Sequence, residues 1–292
     1  MKEVKPSISA EIDAGIRDFE TNKPEHERLC YDPIAHAFIG KTGRVIRKIP
    51  PLRRFVRWYI KQIHPFLYDC IPARTKYIDE YVNHCIEDGI EQLIILGAGY
   101  DSRAYRMERL KENITVFEID LPTIQKLKIQ MLKKIIDPLP SNVVFIPIDF
   151  NTETLQQKMA QSRYDKNKKS LFIWEGVTPY LTDEAVDETL HYVATNSQPG
   201  SFLVFTYILK SVVDRTCELK EAARIRKAFD YEGLIFGIEE GTIESFMSER
   251  GYHKINEISG NYYESEYFTG ENQNRKGCNL CRVVSAEVRP SQ

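Results

Sequence analysis

Short apolar runs alternate with longer amphipathic stretches between residues 92 and 207, and this alternation limits the fold more than any other feature. The runs are continuous and rich in β-branched or aromatic residues, which is typical of strands buried on both faces of a sheet. They lie at residues 93–96, 115–119, 143–146, 171–174 and 202–206. Amphipathic segments with roughly helical spacing separate them, at residues 101–111, 121–136, 152–161 and 182–196. Because parallel strands need such crossovers, the pattern predicts a doubly wound α/β sheet.

The segments that flank this core are mostly helical in pattern. Residues 1–90 lack strand-like runs and predict an N-terminal helical extension or lid, packed on a Rossmann-like sheet domain that spans 91–292. Beyond residue 207, the sequence predicts helices at 211–228 and 239–250 and a last strand near 279–288.

Composition and charge exclude several classes of protein. The chain has 292 residues and a formal charge of -2, from 40 Lys plus Arg against 42 Asp plus Glu, which argues against a general nucleic-acid binder. Its six scattered cysteines suit reduced thiols in a cytosol better than a disulfide framework. No secretory signal follows the first methionine, and no apolar run reaches the roughly eighteen residues of a membrane span. We therefore expect a cytoplasmic protein without a membrane span.

Residues 52–63 form an amphipathic helical pattern with a basic face. One face carries Leu52, Phe55, Val56, Tyr59, Ile60 and Ile63, and the other carries Arg53, Arg54, Arg57 and Lys61. Eight basic residues and no acidic one lie between residues 41 and 68. A helix packed on the core is the preferred interpretation. A cationic lid over an anionic substrate and peripheral contact with an acidic membrane surface remain alternatives.

A glycine-rich turn follows the first predicted strand. Gly97 and Gly99 permit positive φ and remove Cβ atoms, so the backbone can approach a ligand closely. The free N–H groups at the start of the next helix favour an electron-rich partner. Ligands of doubly wound sheets bind beyond the carboxyl ends of the strands, so the sequence predicts a ligand site at this turn.

Acidic residues stand at the carboxyl ends of three successive predicted strands. Asp120 follows the turn by about twenty positions, where this fold uses a carboxylate to bind ribose hydroxyls. Glu118, two residues earlier on the same face, is an alternative for that role. Asp149 and Phe150 pair an acceptor with an aromatic ring, which suits an adenine. Glu175 ends the fourth strand.

The same residues distinguish between nucleotide ligands. Ser102 occupies the position of the third glycine of a dinucleotide fingerprint, and a row of acids is a poor bed for a pyrophosphate. A nucleoside without phosphates fits better, which indicates S-adenosylmethionine. An NAD-dependent oxidoreductase is the alternative enzyme, and a cofactor-binding module without acceptor chemistry is the alternative outside enzymes.

Residues 96–106 read Leu-Gly-Ala-Gly-Tyr-Asp-Ser-Arg-Ala-Tyr-Arg and resemble the glycine motif of the leucine carboxyl methyltransferase family, which includes polyketide-type O-methyltransferases of bacteria and archaea. Residues 73–79, 117–122 and 174–181 carry further motifs in family order. The resemblance covers about residues 30–207. It implies a class I methyltransferase sheet, with S-adenosylmethionine as cofactor.

The resemblance also implies roles for individual residues. Arg74 would hold the methionyl carboxylate of the cofactor, because a guanidinium binds a carboxylate bidentately. The remaining cofactor-binding residues would be Gly97, Gly99, Asp120, Asp149, Phe150 and Glu175. Tyr180 and Tyr207 are candidates for the substrate side only because they lie at strand ends.

The implied reaction is methyl transfer to an oxygen of an acceptor. A carboxylate with a pKa of about 4 is ionised at neutral pH and needs no general base, whereas a hydroxyl acceptor would need one. We therefore predict no catalytic triad and identify no catalytic residue; His191 is interpreted as a surface or packing residue. A small-molecule acceptor, anionic if the basic helix covers it, is preferred over a protein C-terminus.

Residues 278–281 have C-x-x-C spacing, but no second pair or histidine cluster accompanies them. We predict no metal site.

Overall fold

The computed structural model describes residues 8–63, 65–149, 153–229 and 233–290. Before the first strand, the described residues form helices α1 (Ile8–Thr21), α2 (Lys41–Lys48), α3 (Pro50–Ile63) and α4 (Pro65–Glu87). No helix within the described ranges is both long enough and apolar enough to cross a bilayer.

Strands and helices alternate in the central part of the chain. In order they are β1 (Gln92–Leu96), α5 (Arg103–Arg106), α6 (Glu108–Lys111), β2 (Thr115–Asp120), α7 (Pro122–Leu132), β3 (Val143–Pro147), α8 (Leu155–Ala160), β4 (Ser170–Trp174), α9 (Asp183–Thr195) and β5 (Phe202–Ile208). The C-terminal part adds α10 (Lys210–Val213), α11 (Lys220–Phe229), α12 (Ile243–Ser248), β6 (Tyr252–Ile258), α13 (Gly260–Glu266) and β7 (Cys281–Val288).

The strands form one sheet in the order β3-β2-β1-β4-β5-β7-β6. Strands β1 to β5 are parallel, and β7 is inserted antiparallel between β5 and β6. The strand order reverses at β1, whose neighbours are β2 and β4. Ligands of such sheets bind in the crevice at this switch point. The predicted doubly wound sheet and its five parallel strands are confirmed.

Alternate residues of the strands supply two apolar clusters. Ile94, Phe117 and Phe172 belong to one cluster, which includes Val186 and Leu190 of α9. The residues one position earlier, Leu93, Val116 and Leu171, belong to the other cluster with Tyr77, Ile78 and Val82 of α4. Every residue of β1, β4 and β5 is buried. Burial of each large apolar side chain contributes about 1.5–3 kcal/mol, so the centre of the sheet holds the fold together.

Three predicted helices are shorter or divided in the structure. The segment 101–111 forms α5 and α6, separated by Met107 in an extended conformation with ψ 106°. The segment 211–228 forms α10 and α11, and Arg215 between them has φ 63°. Within the segment 239–250, the helix is shorter than predicted and consists of α12.

Strand β6 and helix α13 were not anticipated from the sequence. β6 lies at the edge of the sheet. Its two terminal residues are buried, and the residues between them are half-buried or exposed. Its pairing with β7 shifts register between His253 and Asn256, and Lys254 there has φ 49°. This irregularity interrupts the period-two pattern, so the strand lacks the apolar run that marks the other strands.

The preferred interpretation of residues 52–63, a helix packed on the core, is wrong for half of its apolar face, because Phe55, Tyr59 and Ile63 are exposed. Neither α2 nor α3 contains a buried residue. Phe55 is 58% exposed and Tyr59 is 52% exposed, whereas Val56 and Ile60 are half-buried. The half-buried side of α3 therefore includes one part of the apolar face and one part of the basic face.

Candidate active site

A cavity of about 590 Å³ opens at the carboxyl ends of the parallel strands. Its wall includes the glycine turn after β1, the ends of β2, β4 and β5, and parts of α1 and α4. Seven residues predicted from the sequence line it: Arg74, Gly97, Gly99, Asp120, Glu175, Tyr180 and Tyr207. Asp149 is not among the described residues of the lining, and Phe150 lies outside the described residues.

The glycine turn has the backbone conformation that its sequence predicts. Gly97 has φ 66° and Gly99 has φ 37°. A Cβ atom on Gly97 would lie 2.4 Å from Cγ2 of Val177, whereas one on Gly99 would meet nothing closer than 3.7 Å. Gly97 is therefore required both for its positive φ and for the close approach of the loop after β4.

Asp120 is bound to the glycine turn through its carboxylate. Its Oδ2 accepts a hydrogen bond from the backbone N of Gly99 at 2.5 Å, and Oδ1 accepts one from the backbone N of Leu121 at 2.6 Å. Burial raises the pKa of Asp120, while the two backbone N–H groups oppose this shift. A carboxylate offers about four lone-pair sites, so both oxygens keep capacity for hydroxyl donors from a ligand.

Glu118, the alternative to Asp120, has a different environment. It is 1% exposed and forms an ion pair with Nζ of Lys128 at 2.8 Å. The Lys128 ammonium also donates a hydrogen bond to the carbonyl oxygen of Ala98 at 3.3 Å. Of the two acids on β2, both of which the structure describes, only Asp120 lines the cavity. Through Lys128, Glu118 is linked to the backbone of the glycine turn. Because Glu118 does not line the cavity, it is no longer a candidate for binding the ribose.

Arg74 of α4 lies between two carboxylates. Its Nε donates to Oε1 of Glu175 at 2.6 Å, and its Nη2 donates to Oδ2 of Asp13 at 2.8 Å. The other oxygen of Glu175 accepts from Nη1 of Arg103 at 2.9 Å. Although burial alone raises it, the guanidinium groups of Arg103 and Arg74 hold the pKa of Glu175 at about 2. Burial raises the pKa of Asp13, against the opposing effect of Arg74.

The ion pairs continue from Arg103 into a longer chain of charges. Asp79 accepts hydrogen bonds from Nε of Arg103 at 2.8 Å and from Nη1 of Arg106 at 2.7 Å. Arg103 also pairs with Asp101. Asp32 accepts from Ser102 Oγ at 2.7 Å and pairs with Arg17 and, at 4.0 Å, with Arg106.

This network explains why two separated motifs occur together. The motif at 101–106 supplies Asp101, Ser102, Arg103 and Arg106, and the motif at 73–79 supplies Arg74 and Asp79. Four guanidinium groups meet five carboxylates, so the network has a formal charge of -1 with every group ionised. Its members are Arg17, Arg74, Arg103, Arg106, Asp13, Asp32, Asp79, Asp101 and Glu175.

Sequence reasoning missed Asp13 and Arg17, which α1 brings into the cavity wall. Both lie outside the quoted motifs, and nothing in their spacing marks them. Arg103 could have been singled out, because a buried arginine within a glycine motif needs carboxylate partners.

The wall beyond the glycine turn contains both tyrosine candidates and an arginine that the sequence did not indicate. Tyr180 packs edge-on against Phe229, with ring centroids 6.3 Å apart. The hydroxyl of Tyr207 donates a hydrogen bond to Glu257. Arg282 pairs with Tyr207 in the register of β5 and β7 and also lines the cavity.

Arg282 has an uncommitted donor. Its Nη2 donates to Oε1 of Glu240 at 2.6 Å, and the Glu240 side chain is 73% exposed. Its Nε is buried and has no hydrogen-bond partner among the described residues. A buried donor of a charged group without a partner is costly, so this nitrogen is a candidate for binding a ligand oxygen.

Two further sequence features have defined positions. Cys278 and Cys281 line the cavity with Cys70, and hydrogen bonding from Cys281 lowers the pKa of Cys278 to about 7 despite burial. His191 is exposed on α9, which agrees with its interpretation as a surface residue.

The model of one protein family, described as leucine carboxyl methyltransferase, matches residues 10–194. The chain belongs to the leucine carboxyl methyltransferase family. The predicted family is thereby confirmed, and the chain is a methyltransferase of the S-adenosylmethionine-dependent class.

Relatives in several bacteria are named as S-adenosyl-L-methionine-dependent methyltransferases. One from Frankia alni is 29% identical over 202 residues, which are 69% of this chain and 68% of that protein. YktD of Bacillus subtilis is 33% identical over 135 residues, which are 46% of this chain and 44% of that protein. The matched part thus spans less than half of the Bacillus relative.

Solved structures of low sequence identity share the fold. A methyltransferase from Thermobifida fusca, 15% identical, gives a TM-score of 0.58 over 99% of this chain and 97% of that chain. A DUF574 family protein from Streptomyces avermitilis, 12% identical, gives 0.55 over 98% of each chain. The family member described here therefore has the predicted Rossmann-like methyltransferase fold.

The residues of the cavity fit a nucleoside that carries an amino acid. Gly97 and Gly99 line the cavity with backbone alone, and Asp120 offers acceptors to ribose hydroxyls. Asp13, Arg74 and Glu175 offer partners of both signs to an ammonium and a carboxylate. The acids around the turn would repel a pyrophosphate, so the donor set fits S-adenosylmethionine better than NAD.

Proposed function

We propose that this chain methylates a carboxylate oxygen of a small-molecule acceptor in the cavity above the carboxyl ends of β1, β4 and β5. The observation that carries the proposal is the composition of one continuous wall. It joins the glycine turn and Asp120 at one side to Tyr180, Tyr207 and Arg282 at the other. A cofactor and an acceptor can therefore share one space of suitable size.

The chain's own residues would hold the cofactor as follows. Asp120 accepts hydrogen bonds from ribose hydroxyls, and Gly97 and Gly99 let the backbone approach the nucleoside. Asp149 and Phe150 keep the predicted role at the adenine. Bound S-adenosylmethionine supplies an electrophilic methyl group on a sulfonium centre.

Arg74, Asp13 and Glu175 would bind the amino acid part of the cofactor. Within the described residues, Nη1 of Arg74 makes no hydrogen bond, which leaves a donor for the methionyl carboxylate. Asp13 and Glu175 are the acceptors for the ammonium group. The net negative charge of the ion network favours a cofactor that carries two positive groups and one negative group.

Arg282 would orient the acceptor carboxylate through its buried Nε. A carboxylate with a pKa of about 4 is already the nucleophilic form at neutral pH. Orientation of its oxygen toward the methyl group then supplies most of the catalysis, with no proton to remove. The Tyr207–Glu257 hydrogen bond fixes one side of the acceptor space.

The helices before β1 would act as the cover of the site. Residues 1–90 form the cover in this proposal, and residues 91–292 form the sheet domain that binds the cofactor. Ser9, Ala10 and Asp13 of α1 line the cavity, as do Leu67 and Ile71 of α4. Such a cover excludes water and strengthens the electrostatic contacts beneath it.

The test uses S-adenosylmethionine labelled in its methyl group and panels of carboxylic acids, phenols, amines and peptides with a free C-terminus. Methyl esters release labelled methanol in base, whereas methyl ethers and methyl amines keep their label. We expect base-labile label on at least one small carboxylic acid. Label confined to phenols, amines or peptides would contradict the proposal.

Arg282→Met tests how the acceptor is held. Loss of a charged hydrogen bond should raise the acceptor KM by about tenfold to a hundredfold, while the Kd for S-adenosylhomocysteine stays unchanged. Arg289→Met, which removes an exposed arginine outside the cavity lining, is the matched control. An unchanged acceptor KM in Arg282→Met would refute the role of Arg282.

A further inference from the structure

Half of the strongly exposed large apolar side chains in the described part of the chain lie within residues 45–63. Twelve such side chains are at least 39% exposed, and six of them are Val45, Ile49, Phe55, Trp58, Tyr59 and Ile63. Single exposed apolar residues are ordinary, but a concentration of them marks an interaction site. These six residues, with the exposed cations Lys41, Lys48 and Arg54, are called the α2–α3 surface below.

The orientation of α3 presents its aromatic rings outward. Phe55, Trp58 and Tyr59 are each more than half exposed, and their rings are neighbours. The ring centroid of Phe55 lies 6.0 Å from that of Trp58 and 6.3 Å from that of Tyr59. Ile60, on the contact side, packs against a buried cluster that contains Ile71, a residue of the cavity wall. The rings therefore project from a helix that is fixed to the protein.

The charge of this surface is entirely positive. Residues 41–63 contain eight Lys or Arg and no Asp or Glu. Some of these cations have acidic partners elsewhere: Arg47 pairs with Asp18 at 3.0 Å, and Lys61 pairs with Asp69 at 3.8 Å. Lys41, Lys48 and Arg54 are exposed and form no ion pair within the described residues.

A second cavity lies between α3 and the residues at and after the end of α1. It has a volume of about 270 Å³, and four cations contribute to its wall: Lys23, Arg53, Arg54 and Arg57. Glu27, Asn22, Phe19 and Pro24 complete the wall. Lys23 is paired with Glu20 at 2.7 Å, and Arg53 donates to Asn22 at 3.3 Å. The remaining guanidinium groups give this cavity the chemistry of a phosphate site.

We propose that the α2–α3 surface docks the protein on a membrane that contains anionic lipids. Aromatic and aliphatic side chains beside basic residues match the boundary between acyl chains and headgroups. Lys48 and Arg54 lie against the negatively charged surface, and the arginine-lined cavity receives a headgroup phosphate. Each basic residue near such a surface adds to the attraction within a Debye length.

Two other occupants fit the surface less well. A single-stranded nucleic acid would stack on Phe55, Trp58 and Tyr59, but it offers no apolar environment to Val45, Ile49 or Ile63. A second copy of the chain on the same patch would place like charges against each other, since a two-fold contact is self-complementary. An anionic bilayer satisfies the apolar and the basic residues together.

The test measures binding of the full chain to vesicles and the emission of its tryptophans. We expect sedimentation with vesicles of phosphatidylcholine and phosphatidylglycerol, no sedimentation with phosphatidylcholine alone, and a loss of binding at high salt. The chain has two tryptophans, and Trp174 is already buried. A blue shift on anionic vesicles therefore reports Trp58, and Trp58→Phe should abolish the shift.

Two variants and two matched controls test the surface itself. The first variant combines Phe55→Ser, Trp58→Ser and Tyr59→Ser, and the second combines Lys48→Glu and Arg54→Glu. Each variant should reduce vesicle binding by at least about tenfold. Tyr31→Ser with Leu219→Ser and Ile235→Ser matches the first variant in number and exposure. Arg163→Glu with Lys166→Glu matches the second in charge. Both controls should bind like the original chain, and thermal unfolding checks that each variant is folded.

Several results would overturn the proposal. These are no binding to anionic vesicles, or equal binding by variants and controls. Tighter binding to single-stranded RNA than to vesicles would assign the surface to a nucleic acid. Self-association that the triple serine variant abolishes, without vesicle binding, would assign it to a second copy.

Discussion

Strand β4 and helix α3 are both rich in large apolar residues, yet they have opposite environments. Every residue of β4 is buried, whereas none of α3 is. β4 is a continuous apolar run between two layers of helices, and its end carries Glu175 into the ion network. α3 alternates apolar and basic residues, and Ile60 on its half-buried side packs against a buried cluster of the protein. Apolar content alone therefore does not decide burial; the distribution of charge between apolar residues does.

The two regions should respond differently to mutation, and Glu175→Gln should have the largest effect. It leaves Arg74 and Arg103 without a shared buried carboxylate, which should cost about 3–5 kcal/mol of unfolding free energy. Urea denaturation of both proteins measures this difference. A loss below about 1 kcal/mol would contradict the structural importance of the network.

The pH dependence of that difference has a defined sign. The pKa of Glu175 is about 2 in the folded chain, below its ordinary value of 4.5. Its stabilising effect is therefore complete above pH 4.5 and is lost as the pH falls toward 2. The stability difference between the original chain and Glu175→Gln should be constant near neutral pH and shrink through this window.

Gly97→Ala should be the next most harmful change. It places an alanine at positive φ and drives its Cβ against Val177, which should cost about 2–4 kcal/mol. Gly99→Ala is the matched comparison, because it meets only the φ penalty of about 1–2 kcal/mol. Urea denaturation should rank Gly97→Ala as the less stable protein. Equal stabilities would mean that Val177 moves away without cost.

Asp13→Asn should have a smaller effect on stability and a clear effect on binding. Arg74 keeps Glu175 as a partner, so the loss of stability should be about 1 kcal/mol. Affinity for S-adenosylhomocysteine, measured by calorimetry, should fall about tenfold because an ammonium acceptor is weakened. Asp18→Asn, on the same helix but outside the cavity lining, should leave this affinity unchanged. A lower affinity in Asp18→Asn than in Asp13→Asn would contradict the role of Asp13 in binding the cofactor.

The triple change Phe55→Ser, Trp58→Ser and Tyr59→Ser should affect stability least. These side chains are more than half exposed, so the free energy of unfolding should change by only about 0.5 kcal/mol. Urea denaturation provides the measurement. A decrease of several kcal/mol in the free energy of unfolding would show that the rings pack on the protein in solution. The apolar side chains of α3 would then be buried like those of β4.

The parts of the fold that the sequence predicted are those with a strong local pattern. The five parallel strands have uninterrupted apolar runs, and the glycine turn follows the first of them. β6 escaped notice because a register shift at Lys254 breaks its alternation at a polar edge. The predicted helices at 101–111 and 211–228 are divided, by Met107 in the first and by residues 214–219 in the second, and periodicity does not encode such breaks.

The site was predictable where each residue acts from the end of a strand or within a motif. The sequence brought Asp120, Glu175 and Arg74 to attention, and all three line the cavity. It could not distinguish Glu118 from Asp120, because the distinction depends on Lys128 of α7 beneath the turn. Asp13 and Arg282 join the wall only through the packing of α1 and the insertion of β7. Contacts of this range leave no local pattern.

Calorimetric titration of the chain with S-adenosylhomocysteine and, separately, with NAD shows which cofactor the cavity binds. We expect one molecule of S-adenosylhomocysteine per chain, an affinity reduced by about tenfold to a hundredfold in Asp120→Asn, and no heat of binding with NAD. The Asp187→Asn variant, which changes an exposed acid paired with Arg250, should bind as the original chain does. Binding of NAD, or an affinity for S-adenosylhomocysteine that Asp120→Asn leaves intact, would contradict the cofactor site described for this cavity.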